Sequence, residues 1–167
     1  LTVENLDESN LPFGIGYHPA FAIPFDDRHT FADYEIRFSE PESPLCVNCQ
    51  PYGLLHGNLY YLGSNIREIP IDEKLFANDS HCMVNLRSQS IGIYEKDTGR
   101  AVVCDIADFP YTLIWSKPGQ PKFVCIEPWH SLPSAENGST QWEKKPAAAI
   151  LAPGEEWSCT LSTEFVR

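Results

Sequence analysis

The chain has 167 residues, 43% hydrophobic and 12% aromatic, and sets 23 Asp and Glu against 12 Lys and Arg for a formal net charge of −11. Such a chain buries about 70% of the surface its unfolded form exposes, which excludes general disorder and fits one domain over residues 1–167. The acidic balance argues against nucleic acid and anionic membrane as partners, because both are held by clustered Lys and Arg, and the only adjacent basic pair is Lys144-Lys145.

In chain order, Leu1-Thr2-Val3-Glu4-Asn5 alternates apolar and polar residues and reads as a strand already under way. With no initiator Met and no targeting segment, the chain is expected to be a piece of something longer. Tyr34 to Phe38 is the next clean alternation, and residues 39–74 form a loop-rich excursion across a sheet. One helical turn is expected before Leu75-Phe76, followed by a strand from Cys82 to Leu86. Ser90 to Glu95 and Arg100 to Ile106 flank Lys96-Asp97-Thr98-Gly99, a hairpin loop whose glycine supplies a positive φ. Strands follow at Tyr111 to Ser116, Lys122 to Glu127 and Ala148 to Leu151, with a long terminal run from Trp157 to Val166. Pro-Gly pairs at 118-119 and 153-154 mark turns, and 14 prolines break any sustained helical period. The pattern is that of an all-β antiparallel sandwich or barrel.

Of six cysteines, Cys82, Cys104, Cys125 and Cys159 lie in apolar runs and read as small buried hydrophobes. Only Cys46-Val47-Asn48-Cys49 has ligand spacing, and without a second close pair of Cys or His it makes no zinc site, so no metal is expected. A reducing cytoplasm is the expected location.

Two short segments are candidates for chemistry. In Gly14-Ile15-Gly16-Tyr17-His18-Pro19, two glycines permit a tight path and Pro19 holds the chain extended after His18. A histidine held rigidly among aromatics suits proton transfer, and equally suits plain packing. In Phe123-Val124-Cys125-Ile126-Glu127-Pro128-Trp129-His130, period-two alternation puts Phe123, Cys125 and Glu127 on one strand face and Val124 and Ile126 on the other. A carboxylate in an apolar row is costly unless paired or used. Pro128 is expected to end the ladder and leave Glu127 at a strand end facing a cleft, beside Trp129 as a flat face and His130 as a second lining residue. His29, His56 and His81 read as structural or exposed, and Asp26-Asp27 as a solvated turn.

These segments, with Leu75-Phe76 followed by Asp79, Ile114-Trp115-Ser116 and Leu151-Ala152-Pro153-Gly154-Glu155, resemble the aldose 1-epimerase (galactose mutarotase) family, in particular its small bacterial mutarotase-like branch. The resemblance runs in order along essentially the whole chain. It implies an antiparallel β-supersandwich with a sugar cleft, and interconversion of the α and β anomers of a free aldohexose such as galactose or glucose. His18 matches the family's catalytic acid, Glu127 its catalytic base and Asp79 its sugar-binding aspartate. The chemistry so implied needs no metal and no cofactor. Family members carry further strands before the glycine-histidine motif, with an arginine and a histidine that contact the sugar; both lie outside this chain. The alternatives are a carbohydrate-binding protein without turnover, or an inactive fragment that pairs its sheet edges with another copy as a homo-oligomer.

Overall fold

The computed structural model describes residues 1–50, 52–119 and 121–167. The period-two segments form short strands and the prolines and glycines fall between them. In chain order the strands are β1 (Thr2–Glu4), β2 (Leu11–Phe13), β3 (Ala20–Ala22), β4 (Tyr34–Glu42), β5 (Leu45–Val47), β6 (Leu59–Tyr61), β7 (Ile66–Pro70) and β8 (His81–Met83). There follow β9 (Ser90–Glu95), β10 (Ala101–Asp105), β11 (Tyr111–Trp115), β12 (Phe123–Trp129), β13 (Ala149–Leu151), β14 (Glu156–Ser158) and β15 (Thr163–Val166). Single 3-10 turns occupy Phe31–Asp33 and Trp142–Lys144. Among the described residues no helix is long and apolar enough to cross a membrane.

Two antiparallel sheets carry the fold: a five-stranded one in the order β15-β10-β9-β4-β7 and a six-stranded one in the order β3-β12-β11-β8-β5-β6. Two small ribbons, β1-β14 and β2-β13, complete the described ladders. The β9-β10 hairpin turns at Gly99, whose φ of 76° is open to glycine at no steric cost.

The inner faces of the large sheets meet in one apolar core. Ile36, Phe38, Ile91, Ile93 and Cys104 come from the five-stranded sheet, and Cys46, Met83, Ile114, Val124 and Ile126 from the six-stranded one, all buried. Fully burying such a side chain is worth about 1.5–3 kcal/mol. The six-stranded sheet is also apolar on its other face, where Cys49, Cys82 and Leu113 are buried with Val47 and Trp129 packed on them. This second apolar face positions the site, because β12 is covered on both sides and Glu127 must lie within the covering.

Several expectations change. β12 does not stop before Pro128: the ladder with β11 runs on through Thr112↔Pro128 and Tyr111↔Trp129. The Pro128 carbonyl accepts from the Tyr17 N–H at 3.0 Å, on the side away from β11, so the missing proline N–H removes no bond from that ladder. The run from 157 to 166 is two strands in different sheets, β14 against β1 and β15 against β10. The excursion at 39–74 supplies β5, β6 and β7, which widen both sheets, and the expected strand from Cys82 to Leu86 pairs only over His81–Met83. The turn before Phe76 is not helical; the Asp72 carboxylate accepts from the N–H groups of Lys74 and Leu75 and closes it.

Asp26 is no solvated turn residue. Its carboxylate accepts from Arg28, His29 and Arg100, and Arg100 in turn reaches the fully buried Glu95, which also holds the Tyr34 and Thr98 hydroxyls. The network ties the loop after β3 to the β9-β10 hairpin. Cys46 and Cys49 face different clusters, one in the inter-sheet core and one in the outer, so their ligand spacing does not bring them to one ion.

Candidate functional site

The glycine-histidine segment is laced along the end of β12. Gly16 bridges Trp129, the His130 N–H donates to the Ile15 carbonyl at 2.8 Å, and the Trp129 indole donates to the Tyr17 carbonyl at 3.0 Å. A Cβ on Gly16 would stand 2.4 Å from Trp129 Cδ1, so only glycine lets the two backbones come this close. The segment thereby delivers His18 over Glu127, with Nε2 3.3 Å from Oε2. The two side chains differ sharply in exposure, 56% for His18 and 3% for Glu127. His18 also stands edge-on to Trp115, at 6.2 Å between ring centres.

Glu127 differs from the other buried glutamates, Glu35, Glu42 and Glu95. Glu42 accepts from the backbone N–H groups of Arg87 and Ser88, and Glu35 accepts from Arg37. Burial pushes the Glu95 carboxyl upward, but hydrogen bonds from Thr98, Tyr34 and Arg100 outweigh it and hold the group below its ordinary value. Among the described residues Glu127 has only the His18 imidazole. Its burial, and then the nearby charge of Asp79, push its carboxyl up to about 8. A carboxylate so destabilised is a far stronger base than one in water.

A cleft of about 170 Å³ opens above this pair, lined by His18, Asp79, Ser80, Trp115, Glu127 and Trp129 among others. It adjoins a larger hollow of about 550 Å³ that shares Asp79 and Trp115 and is lined further by Asn48, Gln50, Tyr52 and Asn78. Asp79 sits at φ 100°, a region costly for a residue with a Cβ, and its carboxylate accepts from the Ser80 N–H at 2.9 Å. Asp79, in the loop before β8, thus lines both hollows.

His18, Glu127, Asp79 and Trp129 therefore converge on one cleft. His130 does not join them: one residue beyond Trp129 it points the other way, packs against Trp157 with the rings tilted and 4.4 Å between centres, and has its Nδ1 buried without a partner among the described residues. Burial lowers its pKa. The other histidines are structural: His81 bonds Tyr60 and the Leu75 carbonyl, and His56 bonds Glu136. Trp115 lines the cleft although its sequence context assigns it no site role. The signal lies in the register: Leu113↔Glu127 and Trp115↔Cys125 are cross-strand partners, which places Trp115 on the face of Glu127.

Among the described residues, two groups of potential metal ligands converge: His18 with Cys125 and Glu127, and Asp26 with His29 and Glu95.

No family model matches the chain. Among curated proteins, the plasmid and chromosomal forms of protein LacX from Lactococcus lactis subsp. lactis are 31% identical to it over 155 residues, covering 90% of this chain and 52% of the relative. The chain thus spans about half the length of the curated relatives it matches. Among solved structures, a galactose mutarotase related enzyme from Lactobacillus acidophilus superposes with a TM-score of 0.89 at 23% identity, over 99% of this chain and 56% of the other. A galactose mutarotase-like protein from Lactobacillus casei gives 0.86 at 26% identity, over 98% and 57%.

Proposed function

We propose, on the likeness of its fold to galactose mutarotase-like structures, that the chain interconverts the anomers of a free aldohexose, with Glu127 as base and His18 as acid. One observation carries the reading. Alone among the buried glutamates, Glu127 has neither Lys, Arg nor backbone donors on it among the described residues, and it meets an imidazole at 3.3 Å in an open cleft.

The reaction requires one proton between the two groups, on the imidazole at the start of the ring opening. With that proton on His18, the Glu127 carboxylate takes the proton of the anomeric hydroxyl while the imidazolium gives one to the ring oxygen. The bond between anomeric carbon and ring oxygen breaks, leaving the open aldehyde. Rotation about the bond to the next carbon presents the other carbonyl face, and the two transfers run in reverse. Asp79 accepts hydrogen bonds from ring hydroxyls, and Trp129 offers an aromatic wall for the apolar face of the ring.

The hollow beside the pair favours a neutral sugar. Among its described lining residues are amides, aromatics and Asp79, and no Lys or Arg that would hold a phosphate.

Polarimetry of freshly dissolved α-D-galactose and α-D-glucose tests the proposal: the chain should speed equilibration, and Glu127→Gln should abolish the effect. Sugar-dependent thermal stabilisation with no acceleration would instead identify a carbohydrate-binding role without turnover.

A further inference from the structure

The two ligand groups differ in one respect that decides what each can bind. In the group formed by Asp26, His29 and Glu95, a cation is already in place: Arg100 Nη2 lies 2.6 Å from Asp26 and 2.7 Å from Glu95. The group of His18, Cys125 and Glu127, at the floor of the cleft, has no such occupant among the described residues. Its walls bring Asp79 and Glu127 together, and neither Lys nor Arg is among its described lining residues.

The geometry points to a site for a zinc-class divalent cation formed by His18 Nε2, Cys125 Sγ and Glu127 Oε2, which takes the cleft in place of sugar. The three donor atoms lie within 4.8 Å of one another. Zinc binds nitrogen and oxygen at about 2.0–2.2 Å, so two such ligands at the tetrahedral angle stand roughly 3.3–3.5 Å apart. The His18 to Glu127 separation of 3.3 Å meets that requirement without movement of either group. Cys125 and Glu127 are two residues apart on the same face of β12, held by β11 on one side, with β3 pairing at Cys125 on the other. The backbone therefore puts two of the three ligand side chains on one strand face.

Sulfur, imidazole and carboxylate together suit zinc far better than calcium or magnesium, which prefer oxygen throughout. His18 and Glu127 line the cleft while Cys125 is buried, so a fourth position is left on the cleft side for solvent, the arrangement of an open zinc site. A buried carboxylate without a cation, beside a second carboxylate, supplies the attraction. As the sulfur-metal bond forms, the Cys125 thiol proton passes to solvent; nothing is oxidised or reduced.

Cobalt(II) titrated into the chelator-treated full chain tests the site by absorption, without reference to sugar. A saturable one-to-one complex with tetrahedral visible bands and a near-ultraviolet thiolate-to-cobalt band, all displaced by zinc, is the expected result. Cys125→Ser should lose the thiolate band and bind at least about tenfold more weakly, while Cys104→Ser, in the other sheet, should keep both. His18→Ala, at a side chain more than half exposed, should weaken binding by a similar factor. Absence of the thiolate band from the wild-type chain at saturation, or its persistence in Cys125→Ser, overturns the inference. Cobalt bands without sugar equilibration would sink only the enzymatic reading, and equilibration without bands only the metal site.

Discussion

Gly16 and Trp129 are joined in an isolated antiparallel bridge, and the contact is too close for any side chain on the glycine. Through it the end of β12 governs where His18 sits, because the residue two positions after the bridge is the one that reaches Glu127.

Gly16→Ala should therefore damage activity more than stability. The added methyl forces the segment off Trp129, and a displacement of about 1 Å at a reacting group costs on the order of 10²-fold in rate. Overpacking of this kind costs about 1–3 kcal/mol. Polarimetric rates and urea unfolding of the same preparation give both quantities; an unchanged rate would show that the bridge does not position His18.

Rate should depend on pH through Glu127, which acts as base only when ionised. With its carboxyl raised to about 8 by burial and then by Asp79, kcat/KM should climb as pH rises toward that value. Asp79→Asn removes the neighbouring charge and should move the rising limb to lower pH, in addition to weakening sugar binding. A limb that stays in place would mean that another group governs the profile.

Glu127→Gln should abolish catalysis, with a loss of about 10²–10⁴-fold, and should stabilise the fold at alkaline pH. A carboxyl raised in the folded state binds its proton more tightly there than in the unfolded chain. Stability thus falls as pH rises from about 4.5 through about 8. The amide has no such slope, and its advantage above pH 8 is on the order of 3–5 kcal/mol. Chemical denaturation at several pH values measures it, and parallel stability curves for the two proteins would refute it.

The Asp26, Glu95 and Arg100 network has the opposite pH signature. Glu95 and Asp26 are both held below their ordinary values, so the stability they contribute is present above those values and lost as pH falls through the lowered ones. His29 is raised, chiefly by its hydrogen bond to Asp26, and its contribution is lost as pH rises through the raised value. Arg100→Met strands Glu95 without its cation and should lower the thermal midpoint while leaving the rate per folded molecule intact. A midpoint equal to wild type would remove the network from the account of stability.

The alternation around Glu127 is legible in the residues themselves. Val124 and Ile126 go to the inter-sheet core and Glu127 faces the cleft, because the side-chain period of a strand is two wherever its partners lie. Local patterning shows His18 only as a rigidly held histidine; its pairing with Glu127, 109 positions further on, is legible in the sequence only through the family resemblance. His130 lies next to Trp129 in the chain and yet not in the cleft, because adjacent residues of a strand point apart; its nearness in sequence is no guide to its place.

By itself the sequence determined the all-β character, the Gly99 turn and the face that each residue of β12 presents. These depend on φ, ψ and side-chain alternation within a few residues. Only the tertiary structure decided that Pro128 stays inside the ladder, that the run from 157 to 166 divides between two sheets, that Asp26 is tied to Arg100 and Glu95, and that Trp115 joins the face of Glu127. Each of these depends on which strands lie side by side, and strand pairing is settled by the burial of whole faces contributed from distant parts of the chain.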